Sequence, residues 1–342
     1  MSRWLLAGFY GVILSLATGS PAFADTVIRV GHLPNLTHPQ ALVGRETGEF
    51  EKNAGAKVEW TAFNAGASAM EALLAGELDL AYVGPSPALN AYVRSKGRVL
   101  RVIAGAASGG VALVVRKDAG IRNPADLKGK RVAVPGLGNT QDVALRSWLK
   151  AKGLDTGGSV QVMPVKNPEI FTLFRRKELD AAWVPEPWAT RLIQEAGGAL
   201  FVDESTLWPE GKFPTTLLVA RTDFLVKNRA LVKRFVATHI DLTEAIIQKP
   251  DEAKRTINAQ LAKLMGKPLP TVLLDGAFSG IAATYDPIPS ALLKAARQAW
   301  ELKYLPGAQP PDVAPIFDLS LLNEALRERG KPLVVTPATV KR

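Results

Sequence analysis

The 342-residue chain contains no cysteine. That absence excludes disulfides, thiolate metal sites, a cysteine nucleophile and a lipid-modified N-terminal cysteine. Histidine is almost as scarce. Only His32, His38 and His239 occur, no pair has metal-ligand spacing, and no carboxylates cluster beside them. No catalytic residue, metal or cofactor is therefore assigned. The chain also lacks a Walker loop, a dinucleotide fingerprint and a G-x-S-x-G elbow. Beyond residue 24, no apolar run approaches the ~18 residues that would make a membrane span. Its Lys and Arg residues form no dense run or nucleic-acid motif, so no nucleic-acid partner is expected.

What is present begins with the first 24 residues. Arg3 is their only charge, Trp4–Ala17 is almost wholly apolar, and Ala22-Phe23-Ala24 is an A-x-A cleavage pattern before Asp25. The apolar run is too short to span a bilayer, so residues 1–24 are expected to be a cleaved signal peptide. Losing Arg3 with that leader leaves 41 basic and 32 acidic residues, a net charge of +9. Either that charge only sets solubility, or it gives a mild pull on small anionic ligands. A composition 47% hydrophobic and 22% charged is that of a soluble globular protein, and the length suffices for two domains. An exported chain of this size without disulfides fits a bacterial periplasm.

The chain nearly repeats itself. Glu77-Leu-Asp-Leu-Ala-Tyr-Val-Gly-Pro-Ser-Pro87 is echoed by Glu178-Leu-Asp-Ala-Ala-Trp-Val-Pro-Glu-Pro-Trp188. A strand at Val58–Phe63 and a helix at Met70–Ala75 precede the first copy. A strand at Val160–Val165 and a helix at Glu169–Arg176 precede the second. Both copies read as strand–helix–strand units ending in a Pro-rich loop. Ligands sit outside the carboxyl ends of strands in open α/β sheets, so two lobes facing one cleft are expected.

Alternating strands and helices imply an α/β fold with mostly parallel sheets. The apolar segment Val111–Arg116 is expected to cross between lobes, and Thr215–Arg221 to return, making a two-strand hinge. Residues 25–114 with 221–331 would form one lobe and 115–220 the other. From Asp223 the pattern is helical, and residues 332–342 read as a tail of low order.

Candidate binding residues lie in loops. Gly136-Leu-Gly138-Asn139-Thr140-Gln141-Asp142 is a Gly-rich loop opening a helix at Val143–Lys152. Its glycines allow close backbone approach, and free helix-start amides favour an anion. A plain capped helix, with Asp142 closing its own amides, is the other reading. Asn35, Thr37 and His38 follow the first strand; His38 is either a ligand contact or a structural histidine. Gly84-Pro85-Ser86-Pro87 is read as a rigid turn too Pro-rich for a regular element. Ser108-Gly109-Gly110 either offers a hydroxyl and amides or simply breaks a strand. Trp183, Glu186 and Trp188 offer aromatic walls and a carboxylate, against core packing and a solvated acid. Thr215 reaches either the cleft or its own strand's neighbours.

Together Gly31–His38, Glu77–Pro87, Gly136–Asp142 and Trp183–Trp188 resemble the periplasmic solute-binding proteins of ABC importers for sulfonates, taurine and nitrate, the aliphatic-sulfonate branch closest. The resemblance spans about Thr26 to Lys331. It implies a two-lobed, hinge-closing periplasmic-binding-protein fold of type II. It also implies a monomer that binds a small anion without chemistry and delivers it to a permease and ATPase at the inner membrane. By position it places Leu33, Asn35, Leu36, Thr37, His38, Gly84, Pro85, Ser86, Ser108, Gly109, Gly138, Asn139, Thr140 and Gln141 at the ligand. Relatives carry small hydroxyl residues where this chain has Asn139-Thr140-Gln141, which leaves the anion open. Nitrate or a thiamine-precursor pyrimidine is an alternative ligand, and Glu186 would suit an amine. A secreted enzyme using His38 or Ser86, or a sensing subunit, is the alternative role.

Overall fold

The computed structural model describes residues 26–154 and 158–337. The expected leader and residues 338–342 of the expected tail lie outside that range. In chain order the first part is β1 (Val27–His32), α1 (Pro39–Thr47), α2 (Glu49–Ala54), β2 (Lys57–Ala62), α3 (Gly66–Leu74), β3 (Leu80–Val83), α4 (Pro85–Arg94) and β4 (Leu100–Gly109). Then come β5 (Val111–Arg116), β6 (Arg131–Val134), α5 (Thr140–Ala151), β7 (Gln161–Pro164), α6 (Asn167–Arg175), β8 (Ala181–Pro185), α7 (Trp188–Glu195) and β9 (Gly198–Asp203). The chain ends with β10 (Pro214–Arg221), α8 (Thr222–Lys227), α9 (Arg229–Gln248), α10 (Pro250–Met265), α11 (Thr271–Ser279), β11 (Ile281–Ala283), α12 (Pro289–Glu301) and α13 (Ser320–Glu328).

Two sheets result, ordered β11-β4-β10-β3-β1-β2 and β7-β6-β8-β5-β9. They are one plan used twice, since β2-β1-β3-β10-β4 matches β7-β6-β8-β5-β9 position by position. In each, three strands run parallel and a reversed strand, β10 or β5, pairs antiparallel on both sides. The architecture is thus mixed α/β, with the reversed strand coming from the far side of the cleft in both lobes.

The echoed Glu-Leu-Asp is explained by strand registration. Asp79, just before β3, accepts from the Arg29 backbone N at 2.9 Å and from its guanidinium at 2.7 and 3.0 Å. Asp180, just before β8, accepts from the Arg131 backbone N at 2.9 Å and its Nε at 3.3 Å. The reversed strands add a second arginine to each, Arg221 at 3.4 Å and Arg116 at 3.6 Å.

Helices cover both faces of both sheets. Phe50 stacks on Phe235 at 4.1 Å between rings on one face of the first sheet, and Tyr92, Leu292 and Ala296 belong to the cluster on the other. In the second lobe Trp183 and Trp148 fill one side, Phe174 and Leu192 the other. No helix among the described residues is long and apolar enough to cross a membrane.

The structure differs from the sequence-based reading in several places. Val111–Arg116 lies wholly in the second sheet and residues 214–221 wholly in the first. The changes of sheet fall instead at Gly110 and between Asp203 and Pro214, so the expected boundaries at 114/115 and 220/221 move. Gly109 and Gly110 have φ of 77° and 69°, a left-handed pair that side chains disfavour. Ser108 and Gly109 do not break the run, for β4 continues through Gly109. Pro85-Ser86-Pro87 is not an irregular rigid turn but the first turn of α4. Proline fits there because the first-turn N–H groups have no intrahelical partner to lose. The start of the tail is docked: Val334 is buried and exchanges two 2.9 Å bonds with the Asn323 amide.

Candidate functional site

Six parallel strands, three per sheet, point their carboxyl ends at one cavity of about 40 Å³. On the same measure this is several times what one water needs. Each strand end contributes. After β1 come Leu33, Asn35, Thr37 and His38; after β2, Asn64, Ala65 and Gly66; after β3, Gly84 and Pro87. From the other lobe come Pro135, Asn139, Thr140 and Gln141 after β6, Asn167 after β7, and Pro185 at the end of β8. Thr215 completes the wall from the start of the reversed strand β10.

The lining holds no Lys, Arg, Asp or Glu. Any positive potential there therefore comes from the backbone. Five helices, α1, α3, α4, α5 and α6, begin at this wall, and none is capped by the side chain of its own N-cap residue. Among the described residues, in α4 alone a first-turn amide, Ser86 N, meets a side chain, Thr140 Oγ1 of the other lobe at 3.4 Å. Each helix start carries roughly half a positive charge. Two of the amides that could have served as caps are themselves unsatisfied. Asn139 Oδ1 and Asn167 Oδ1 are buried without a partner. An amide group can turn to present NH₂ instead of oxygen, so both suit a ligand that accepts.

Asp142 does not close its own helix, nor does it oppose an anion. Its carboxylate accepts from Gly138 N at 2.8 Å, Arg146 Nε at 2.7 Å and the Tyr304 hydroxyl at 2.5 Å. These bonds fix the Gly-rich loop and neutralise the charge. The Tyr304 bond also crosses from the first lobe to the second; burial, and after it this bond, raises the tyrosine pKa to about 12.

His38 is buried, and its pKa is lowered well below the usual imidazole value by burial and by nearby His32. Its Nδ1 lies 3.5 Å from Leu33 N. A neutral ring accepting at Nδ1 carries its proton on Nε2, so His38 offers the cavity a donor without charge.

The two lobes touch. Leu36 N donates to Glu186 O at 3.1 Å, Trp188 Nε1 to Asn35 Oδ1 at 3.3 Å, and Ser86 N to Thr140 Oγ1 at 3.4 Å. Both Pro-rich turns reach this seam, the first against Thr140 and the second against Leu36.

Of the residues expected at the ligand, Leu33, Asn35, Thr37, His38, Gly84, Asn139, Thr140, Gln141 and Thr215 line the cavity. Trp188 lines an adjoining groove instead. Leu36, Pro85, Ser86, Ser108, Gly109, Gly138 and Glu186 are not in its wall. Ser108 Oγ accepts from Phe213 N at 3.2 Å, a hinge contact. The Glu186 carboxylate caps α7, accepting from Thr190 N at 3.0 Å and Thr190 Oγ1 at 2.9 Å. It is therefore spoken for, not offered to an amine. Asn64, Ala65, Gly66 and Asn167 were missed as site residues, although both helix starts are visible in the sequence. Their positions after β2 and β7 were the available signal.

Burial pushes the Glu186 and Glu204 carboxyls up to about 7. A carboxyl whose pKa is higher folded than unfolded stabilises the fold fully below about pH 4.5 and ceases to as pH rises through about 7. Glu204, bonded to Trp183 Nε1 at 2.8 Å, is the fully buried case. In urea melts at pH 5 and pH 8, Glu204→Gln should remove roughly 2 kcal/mol of the loss between these pH values. An unchanged difference would show that Glu204 ionises freely.

Fold and cavity define a two-lobed solute-binding protein of the periplasmic-binding-protein class. The chain belongs to the NMT1-like family, which matches residues 22–262. It is 32% identical over 249 residues to the taurine-binding periplasmic protein of Escherichia coli, covering 72% of this chain and 76% of that one. Its fold is shared with the alkanesulfonate-binding protein SsuA from Xanthomonas axonopodis pv. citri, solved bound to MOPS, at TM-score 0.73 and 20% identity, over 86% of this chain and 99% of that one. The nitrate-binding NrtA from Synechocystis PCC 6803 superposes at TM-score 0.75 and 16% identity, over 89% of each chain.

Proposed function

We propose that the protein is the solute-binding component of an ABC importer. It captures a small organic anion, an aliphatic sulfonate or a taurine-like compound, between its lobes and delivers it unchanged to a permease. In this reading residues 1–24 direct export to the periplasm and are removed. Residues 26–110 with 214–337 form one lobe, 111–213 form the other, and the protein works as a monomer. The permease and its ATPase are the macromolecular partners.

One observation carries the reading: five helix starts, none capped by its own N-cap side chain, surround a cavity whose lining contains no charged side chain. Such a wall solvates an anion with fixed dipoles and repels a cation. A two-lobed fold of the same class in sulfonate and nitrate binders agrees with it, as does a taurine-binding relative.

Calorimetry with taurine, ethanesulfonate and nitrate, against ethylammonium as a cation of similar size, tests it. Saturable binding of at least one anion, with a raised melting temperature, is the expected result. Binding of the cation and of no anion would overturn it. Asn139→Ala and Asn167→Ala should each weaken the best anion about tenfold, as expected for a lost bond to a charged group. Unchanged affinity in both variants would remove the two amides from the site.

A further inference from the structure

A second and larger cavity, about 390 Å³, adjoins the first. Leu33, Asn35, Asn64 and Asn167 line both, so the two are neighbours at the seam between the lobes, separated by no more than these side chains. A ligand the size of taurine leaves this groove empty. Its walls differ in kind from the inner cavity. The Trp188 indole from α7 faces Leu264, Met265 and Leu269 from the end of α10 and the loop beyond. Met265 packs against the second lobe's core cluster although its helix belongs to the first. Closure of the lobes therefore shapes this groove as well as the cavity.

The charges are not balanced. Lys166, Arg191 and Lys267 line the groove against a single acid, Glu195. Arg191 is committed: its Nε bonds Glu195 at 2.9 Å, and its guanidinium lies 4.2 Å from the Phe171 ring centre and 4.9 Å from that of Trp188. Lys166 and Lys267, one from each lobe, are exposed and make no ion pair or side-chain hydrogen bond among the described residues.

We infer that the ligand is bipartite: an anionic head, an apolar body of several carbons, and a second anionic group at the far end. The head occupies the helix-start cavity, the body lies against Trp188 and Met265, and the distal anion meets Lys166 and Lys267. Arg191 is fixed by Glu195 and two rings, so it supplies the cationic side of the indole wall rather than a mobile ligand contact. This inference rests on the anion-binding reading given above.

The test is an affinity series by calorimetry on the full protein, with ethanesulfonate, hexanesulfonate and ω-sulfohexanoate, which adds a terminal carboxylate to the six-carbon chain. Affinity should rise about tenfold with the chain through apolar burial. It should rise several-fold again, by roughly five, with the terminal charge at low salt. In the Lys166→Gln/Lys267→Gln double variant the ratio between the last two ligands should fall to about one, whatever the variant does to each alone. A flat series in the wild type, with ethanesulfonate bound, overturns the bipartite ligand and leaves the anion site standing. An undiminished ratio in the double variant also overturns it. Failure of all three to bind, by contrast, counts against the anion site itself.

Discussion

Gly84→Val should weaken anion binding about hundredfold while leaving the protein folded, because it wedges the cleft open. Gly84 ends the first lobe's β3 loop with φ −68° and ψ 158°, values open to any residue. Within its own lobe the nearest atom to a Cβ there is Thr215 O, at 3.7 Å. Across the seam the same Cβ would sit 2.4 Å from Thr140 Oγ1, inside any tolerable contact. Thr140 is the first residue of α5, so pushing it away withdraws one of the helix starts that face the ligand. The side chain is needed only when the lobes meet, which separates a closure defect from a folding defect. Valine, branched at Cβ, adds two methyl groups beside a Thr140 Cβ only 3.5 Å from the new Cβ, so turning the threonine hydroxyl away relieves less of the clash than it would for alanine. The attribution can be checked with a smaller pair. Gly84→Ala should cost about tenfold, and that cost should vanish when it is made in Thr140→Ala, whose Cβ stays 3.5 Å away. Small-angle scattering should show ligand-induced compaction in the wild type and not in Gly84→Val. Wild-type affinity in Gly84→Val would mean that ligand binds without this closed geometry.

The fold was largely legible because its strands are short apolar runs with clear stops. The doubled unit was legible for a deeper reason. Asp79 and Asp180 each tie a strand end to the backbone of its parallel neighbour, so the same tripeptide recurs where the same job recurs. The site was legible only in part. Its wall is made chiefly of backbone amides, which leave no mark on side-chain composition. Conspicuous side chains drew the reading instead. Glu186 turned out to cap a helix, and Ser86 to contribute its backbone N. Asn64 and Asn167 went unnoticed because a single Asn before a helix usually caps it. Here α6 starts at Asn167 with no side-chain cap, and the Asn167 oxygen remains free. The reversed strands were placed one segment out, since the apolar pattern of Val111–Arg116 says that it is buried but not in which sheet. Proline misled at α4, where a helix start and a turn share the same composition.

Asp79→Ala should destabilise the protein by about 3–5 kcal/mol, and Asp180→Ala by roughly half as much. The two carboxylates occupy equivalent places, so the comparison isolates environment from chemistry. Asp79 is 2% exposed and Asp180 12%. The Arg29 guanidinium holds Asp79 at 2.7 and 3.0 Å, whereas Arg131 holds Asp180 at 3.3 and 3.5 Å. Removing either carboxylate takes one partner from two guanidinium groups and leaves one backbone N–H without its acceptor. Around Asp180 the solvent is nearer and the bonds longer, so less is lost. Arg29 and Arg131 are themselves more than a third exposed, which lets water recover part of the cost in both cases. The second arginine, Arg221 or Arg116 on the reversed strand, is exposed only 20% and 12%; it keeps its other carboxylate, Asp223 at 2.8 Å or Asp118 at 3.0 Å, but loses its tie to the neighbouring strand. Loss should therefore be felt where β10 or β5 joins its sheet. Urea midpoints give the magnitudes, and hydrogen exchange gives the place, with faster exchange in 214–221 for Asp79→Ala and in 111–116 for Asp180→Ala. Equal losses from the two variants would show that burial does not rank them. Exchange spread over both sheets would show that the reversed strands are held by packing rather than by these carboxylates.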